Sequence, residues 1–202
     1  MKYFIDCGAH CGESILKAKQ LFGLDTTIIS FEPIPYFANE LKEIHKDNPT
    51  IMIENAAVWI NDDIKKFHIH KEITDGSSLL TLYGGVDDDY YINIPCFDLS
   101  KWIKETFNPS DYIILKLDIE GAEYEVLNKL IEDGTISMVN ELYGEWHHQK
   151  IDDEYTHKMA DKIQQYLTQN DIRFNIWELH IPTTGKAHPM LVERPHNLRN
   201  VL

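Results

Sequence analysis

Three short apolar runs separated by two amphipathic stretches fill the first 53 residues, and this alternation restricts the fold more than any other feature of the chain. Tyr3-Phe4-Ile5, Thr27-Ile28-Ile29-Ser30-Phe31-Glu32 and Ile51-Met52-Ile53 have the length and residue types of buried strands. Between them Ile15, Ala18 and Phe22, then Phe37, Leu41 and Ile44, recur at helical spacing. Pro33 closes the second strand, and Asn48-Pro49 stops the second helix. Strand–helix–strand–helix–strand implies parallel strands, because a parallel neighbour is reached only through a crossover.

Residues 57–97 break this rhythm. Trp59-Ile60 and Phe67-His68-Ile69 flank Asn61-Asp62-Asp63 and read as a hairpin. Gly84-Gly85 and Asp87-Asp88-Asp89 read as a polar, mobile loop whose acidic triplet is a solvated tip. Tyr90 to Phe97 reads as extended, and Asp98 is placed to cap a helix over Leu99 to Phe107. Alternation then resumes with Tyr112 to Asp118, the strongest buried-strand signal in the chain. A helix carrying Tyr124, Leu127 and Ile131 ends at Asp133-Gly134, and a strand over Ile136 to Leu142 follows. Tyr155, Met159, Ile163, Tyr166 and Leu167 share one face of a long helix. Ile172 to Leu179 and Met190 to Val192 read as closing strands. The expectation is one Rossmann-like α/β domain over 1–202, with a mostly parallel sheet of about seven strands and helices on both faces. Because little precedes the first strand to cover a pocket, a further expectation is a domain cut from a longer polypeptide, whose neighbours supply a lid or the acceptor.

Charge narrows the partners. Asp and Glu outnumber Lys and Arg by 33 to 19, for a formal net charge of −14, which repels phosphate backbones and makes nucleic acid a poor substrate. A neutral or weakly charged small acceptor fits better. No apolar run approaches a membrane span and no signal peptide is visible, so a cytoplasmic protein without membrane contact is expected. Cys7, Cys11 and Cys96 form neither a disulfide framework nor a structural zinc set, and are expected to fill space around a tight turn.

Asp6-x-Gly8-x-x-x-Gly12 lies where the first strand turns into the first helix. Glycines there let the backbone approach a ligand, and the helix N-terminus adds free amide donors. Glu32 ends the second strand 24 residues after Gly8, near the spacing at which a carboxylate meets a nucleoside ribose. Dinucleotide binding competes with this reading, but the Gly-x-Gly-x-x-Gly spacing is missing. Asp6 would also repel a pyrophosphate, whereas it suits the cationic end of S-adenosylmethionine.

Phe4-Ile5-Asp6-Cys7-Gly8-Ala9-His10-Cys11-Gly12-Glu13-Ser14 and Phe31-Glu32-Pro33 resemble FkbM-type methyltransferases. So do Asn55-Ala56-Ala57-Val58, Ser77-Ser78-Leu79 and Lys116-Leu117-Asp118-Ile119-Glu120-Gly121-Ala122-Glu123, the last being the most specific. The matches run in order from residue 4 to about 141, roughly two-thirds of the chain. This resemblance implies a class I methyltransferase fold and transfer from S-adenosylmethionine to an oxygen, often a hydroxyl on a sugar or natural product. By position it implies that Asp6, Gly8, Ala9, His10 and Gly12 line the methionine part of the cofactor. Glu32 with Pro33 would hold the ribose, Asn55 and Ala56 would flank the adenine, and Ser78 and Asp118 would complete the contact. His10 departs from the small amide often found at its position.

A methyl acceptor must be aligned and must lose its proton, because a neutral hydroxyl is a poor nucleophile. Two mechanisms stay open. In one, Asp118 and Glu141 on neighbouring strand ends hold a divalent cation, with Glu120 or Asn140 assisting. In the other, a carboxylate or His147 takes the proton directly. Lys116 shares a strand face with Asp118 and either orients the acceptor or pairs structurally. Trp146 and Tyr143 could offer a flat surface to a sugar. His147-His148 also fits a wet loop, and His45, His68 and His70 read as solvated. Rival readings are transfer to nitrogen or a carboxylate, a non-catalytic nucleoside-binding module, and an NAD-dependent oxidoreductase.

Overall fold

A computed structural model describes residues 1–70, 76–81, 86–151 and 153–178. Its strands are β1 (Lys2–Cys7), β2 (Thr27–Phe31), β3 (Ile51–Glu54), β4 (Ala57–Trp59), β5 (Asp63–His70), β6 (Val86–Asp98), β7 (Tyr112–Leu117), β8 (Val139–Gly144) and β9 (Phe174–Ile176). The α-helices are α1 (Glu13–Phe22), α2 (Pro35–His45), α3 (Leu99–Thr106), α4 (Glu123–Glu132) and α5 (Glu154–Gln169).

Six strands form one sheet in the order β3-β2-β1-β7-β8-β9, and every neighbouring pair is parallel. From β1 the chain steps outward one way through α1 and α2. After an excursion it returns beside β1 as β7, then steps outward the other way through α4 and α5. Right-handed crossovers in opposite directions place the two helix pairs on opposite faces. The point where the direction reverses, between β1 and β7, leaves a crevice at the carboxyl ends of the strands, where such sheets bind ligands. The fold is therefore Rossmann-like, as the alternation predicts.

The centre of the sheet is apolar on both sides. Phe4, Ile5 and Cys7 in β1 and Ile114, Leu115 and Leu117 in β7 are fully buried. Each helix covers them with one stripe: Ile15 and Ala18 in α1, Phe37, Ala38 and Leu41 in α2, and Val126, Leu127 and Leu130 in α4. Burying each large side chain contributes about 1.5–3 kcal/mol. All three cysteines are free and buried, as space-filling thiols would be. Asp98 caps α3 by accepting the Lys101 amide at 3.0 Å.

Several expectations are corrected. β4 and β5 do not form a hairpin with each other; both pair with β6 in a second sheet ordered β4-β6-β5. β6 supplies the antiparallel partner because its long Tyr91–Pro95 run matches β5 residue for residue. Asp87, Asp88 and Asp89 consequently belong to a strand rather than a loop tip, while Gly84 and Gly85 lie outside the described residues. His68 is buried, not solvated, since its backbone bridges to Ser78 in both directions. The strand expected from Ile136 begins at Val139, after a 3-10 turn over Thr135–Met138, and the one expected from Ile172 shrinks to Phe174–Ile176. The large sheet has six described strands instead of about seven, and Met190 to Val192 lies outside the described residues.

Gly144 shows how tightly β8 meets β7. A Cβ there would stand 2.1 Å from the Leu117 carbonyl oxygen and 2.9 Å from the Phe174 ring. Gly144→Ala is therefore expected to lower unfolding free energy by about 1–3 kcal/mol or more, the usual cost of overpacking. Urea denaturation at constant m-value would register it.

Candidate active site

The turn from β1 into α1 is stitched to both neighbouring strands. Gly8 and Ala9 donate their amides to the Phe31 carbonyl at 3.0 and 3.1 Å. Gly8 has φ +88°, and a Cβ on it would lie 2.0 Å from the Asp118 carbonyl oxygen, so only glycine fits between the ends of β2 and β7. His10 also has positive φ, and its ring packs 4.3 Å from that of Phe37.

Glu32 is anchored by that same turn. Its Oε2 accepts the His10 amide at 2.7 Å and its Oε1 the Ile34 amide at 2.8 Å. Each carboxylate oxygen keeps a second lone pair, so two further donors can be bound. Burial raises the carboxyl to about 7, against the two amide hydrogen bonds that favour its charged form. Asn55 donates to the Glu32 and Pro33 carbonyls at 2.9 and 3.0 Å, which clamps the turn from behind.

A cavity of about 890 Å³, partly open to solvent, lies over these strand ends. Its lining includes the apolar Phe31, Ala56, Val58, Phe67 and Leu79 together with Glu32 and Pro33. Gly8, Ala9 and His10 form its floor, and Lys116, Asp118 and Glu120 its polar end. The cavity thus gathers Gly8, Ala9, His10, Glu32, Pro33, Ala56, Lys116, Asp118 and Glu120 from the sequence-predicted set. It also touches Cys11, Glu13, Ile34 and Ser77, which sequence reasoning did not single out.

Asp6 is placed differently from the expectation. It is fully buried and does not line the cavity. It stands directly opposite Lys116 in the β1–β7 register, so both side chains share a face and pair at 3.1 Å. Ser14 and Ser30 donate to its other oxygen at 2.5 and 3.1 Å. Gly12 and Asn55 likewise support the cavity without lining it; a Cβ on Gly12 would meet Leu41 at 2.5 Å. Ser78 is buried and donates to the Glu120 carbonyl at 2.6 Å, leaving the cavity wall to Ser77.

The Lys-x-Asp-x-Glu-Gly-x-Glu block resolves into one device. Lys116 is 1% exposed, and its Nζ reaches the Gly8 carbonyl at 2.8 Å, Asp6 at 3.1 Å and Asp118 at 3.4 Å. Burial opposes its charge, but Asp6 and Asp118 raise its pKa above the ordinary lysine value. Beyond Asp118 the chain bends through Glu120 and Gly121, both at positive φ. Glu123 fastens that bend by accepting the amides of Ile119 at 2.7 Å and Gly121 at 2.9 Å.

Glu123 has a second task. Its Oε1 lies 2.9 Å from Nδ1 of His147, a side chain only 2% exposed. The far ring nitrogen, Nε2, then faces Glu145 at 3.4 Å, Glu120 at 3.5 Å and Asp118 at 3.9 Å. Burial works against a charge on the imidazole, yet its bonds to Glu123 and Glu145 push its pKa up to about 10. Asp118 moves the other way from an ordinary carboxylate: burial raises its pKa, with Lys116 opposing.

Glu141 does not join this cluster. β8 continues to Gly144, so Glu141 sits opposite Ile114, three residues short of the strand end, or about 10 Å along the strand. There it accepts the hydroxyls of Tyr112 and Tyr143, both at 2.8 Å. The structure does not bring Glu141 to Asp118, the expected metal pair, and the carboxylate following the strand is Glu145. Sequence reasoning missed Glu145 by ending the strand early, and missed Glu123 by reading it as ordinary helix. The Gly144-Glu145 step beside a strand end was the available signal. Tyr143 packs between Phe22 and Trp177 as a structural aromatic, whereas half-buried Trp146 stacks on Phe174 at 4.3 Å.

A parallel sheet with an amide-anchored carboxylate after β2 and an acidic rim after β7 and β8 defines a Rossmann-like α/β domain with its candidate site at the strand ends. The model of the methyltransferase FkbM domain matches residues 6–174, and the chain belongs to that family. Among solved structures, it is similar to the methyltransferase FkbM of Methylobacillus flagellatus KT, at 14% identity and TM-score 0.49. That match covers 85% of this chain and 37% of the other, so this chain spans little more than a third of that protein. It is also similar to the yeast methylglyoxal/isovaleraldehyde reductase Gre2 complexed with NADPH, at 10% identity and TM-score 0.43, over 87% of this chain and 56% of that one. No curated protein matches.

Lys116→Met should destabilise the fold by about 3–5 kcal/mol, since Asp6 and Asp118 would be left buried without their counter-charge. Adding Asp6→Asn should recover part of that loss. Additive losses in the double-mutant cycle would contradict a direct pairing.

Proposed function

We propose that the protein is an S-adenosylmethionine-dependent O-methyltransferase whose acceptor is a hydroxyl on a small molecule, with a sugar, glycan or glycosylated metabolite as the first class. The observation that carries this reading is Glu32, whose two oxygens are each held by a backbone amide at the mouth of an apolar recess. A ribose diol fills the two remaining lone-pair positions, and an adenine ring fits the recess lined by Phe31, Ala56, Val58, Phe67 and Leu79. The family match supports methyl transfer as the chemistry.

Bound S-adenosylmethionine supplies an electrophilic methyl group on a positively charged sulfur. The chain's own part is orientation and proton handling. The Gly8–His10 turn presents backbone close to the cofactor, while Asp118 and Glu120 provide a negative rim that favours a cation. A carboxylate of that rim takes the acceptor's proton, and Lys116 fixes Asp118 from below. No helix of the described residues is long and apolar enough to cross a membrane.

Calorimetric titration with S-adenosylhomocysteine and with NAD tests the assignment; binding of NAD alone would overturn it. Glu32→Ala should weaken S-adenosylhomocysteine by about 1–3 kcal/mol, and unchanged affinity would remove Glu32 from the site. The raised pKa of Glu32 gives this a pH signature. Ribose hydroxyls donate to the ionised carboxylate, so affinity should climb from about pH 6 to about pH 8 as Glu32 passes through its value near 7. For the ligand-free fold the sign reverses. Glu32 favours the folded state most at acid pH, and that contribution is lost as pH rises through about 7. Glu32→Gln should flatten both slopes. Isotopically labelled methyl donor offered with a panel of saccharides, read by mass spectrometry, would identify the acceptor.

A further inference from the structure

We infer that His147 Nε2, Asp118, Glu120 and Glu145 form a divalent-cation site, with Glu123 as the residue that orients the imidazole. The ligand atoms come from three places that the fold fixes independently: the end of β7, the left-handed bend after it, and the segment leaving β8. Asp118, the supporting Glu123 and His147 each bring an oxygen or nitrogen atom within 4.8 Å of the other two, and Glu120 and Glu145 also approach Nε2. Ligands about 2.1 Å from one ion stand about 3.0 Å apart when adjacent and about 4.2 Å apart when opposite. The separations from Nε2, 3.4 Å to Glu145, 3.5 Å to Glu120 and 3.9 Å to Asp118, fall inside that range.

Glu123 behaves as a supporting residue. It is fully buried, it carries two backbone amides, and it takes Nδ1 of the imidazole, which leaves Nε2 as the nitrogen turned towards the carboxylates. A carboxylate behind a histidine in this manner fixes the ring and strengthens its far nitrogen as a ligand. The charge count points the same way. Five carboxylates, those of Asp6, Asp118, Glu120, Glu123 and Glu145, converge on the Lys116 ammonium and the His147 ring. Three oxygen donors and one nitrogen suit Mn²⁺ or Mg²⁺, with solvent or an acceptor hydroxyl completing the shell. The use of the ion to seat an acceptor hydroxyl rests on the methyl-transfer reading; the binding itself does not.

The test uses chelator-treated, desalted protein and Mn²⁺ as the probe, without nucleoside. Electron paramagnetic resonance of free Mn²⁺ should show one ion bound per chain, with nitrogen coupling from an imidazole ligand in the pulsed spectrum. His147→Gln should erase that coupling and weaken binding at least tenfold. Glu145→Gln, at a side chain 43% exposed and tolerant of change, should weaken binding while leaving thermal unfolding unaltered. Glu123→Gln should cost about 10–100-fold in affinity, the range for groups behind a ligand. Glu141→Gln should bind as the wild type does. No stoichiometric Mn²⁺ binding by the wild type, or binding that His147→Gln and Glu145→Gln leave intact, overturns the site. Mn²⁺ bound as expected in a protein that ignores S-adenosylhomocysteine would uphold the site and sink the methyl-transfer reading instead.

Discussion

A lysine ammonium sealed in the middle of a parallel sheet is the constraint around which the rest of this structure is arranged. Lys116 is held by Asp6 across the strand pair, by Asp118 at its own strand's end, and by the Gly8 carbonyl. Taking one such charge from water costs several kcal/mol, and the pairing offsets that cost only when the geometry is good. Good geometry here means that the glycine turn and the β7 end cannot drift apart. The floor of the cavity and its acidic rim are thereby locked to one point.

Much of the fold was legible because it obeys periodicity. The β1-α1-β2-α2-β3 run and the Tyr112–Leu117 strand follow from apolar spacing alone, and the Asp98 cap from residue type. The excursion over β4, β5 and β6 was not legible in detail. Its strands pair out of sequence order, and local pattern carries no record of which partner a strand chooses. β8 was misplaced by a few residues for a related reason: the 3-10 turn over Thr135–Met138 is as apolar as the strand it precedes.

The site divides along similar lines. Gly8 and Glu32 were found because turn geometry and strand-end position are written in residue type and spacing. Asp6 was read as a strand-end carboxylate touching the ligand, whereas the structure buries it behind the cavity wall and pairs it with Lys116. The sequence shows that Lys116 and Asp118 share a face, but only the β1–β7 register reveals that Lys116 claims Asp6. Glu123 closes the most specific motif block, yet sequence reasoning assigned it no role, because its importance lies in two tertiary contacts, to the bend behind it and to His147.

That double employment of Glu123 has an outcome for how the domain can diversify. One carboxylate both shapes the bend and aims the imidazole, so neither property can be tuned separately by changing it. Its half-buried neighbour Trp146 is under less restriction, since it borders solvent and belongs to no turn. Descendants of this scaffold would be expected to vary their clientele at that outer fringe, while inheriting the inner bend unchanged.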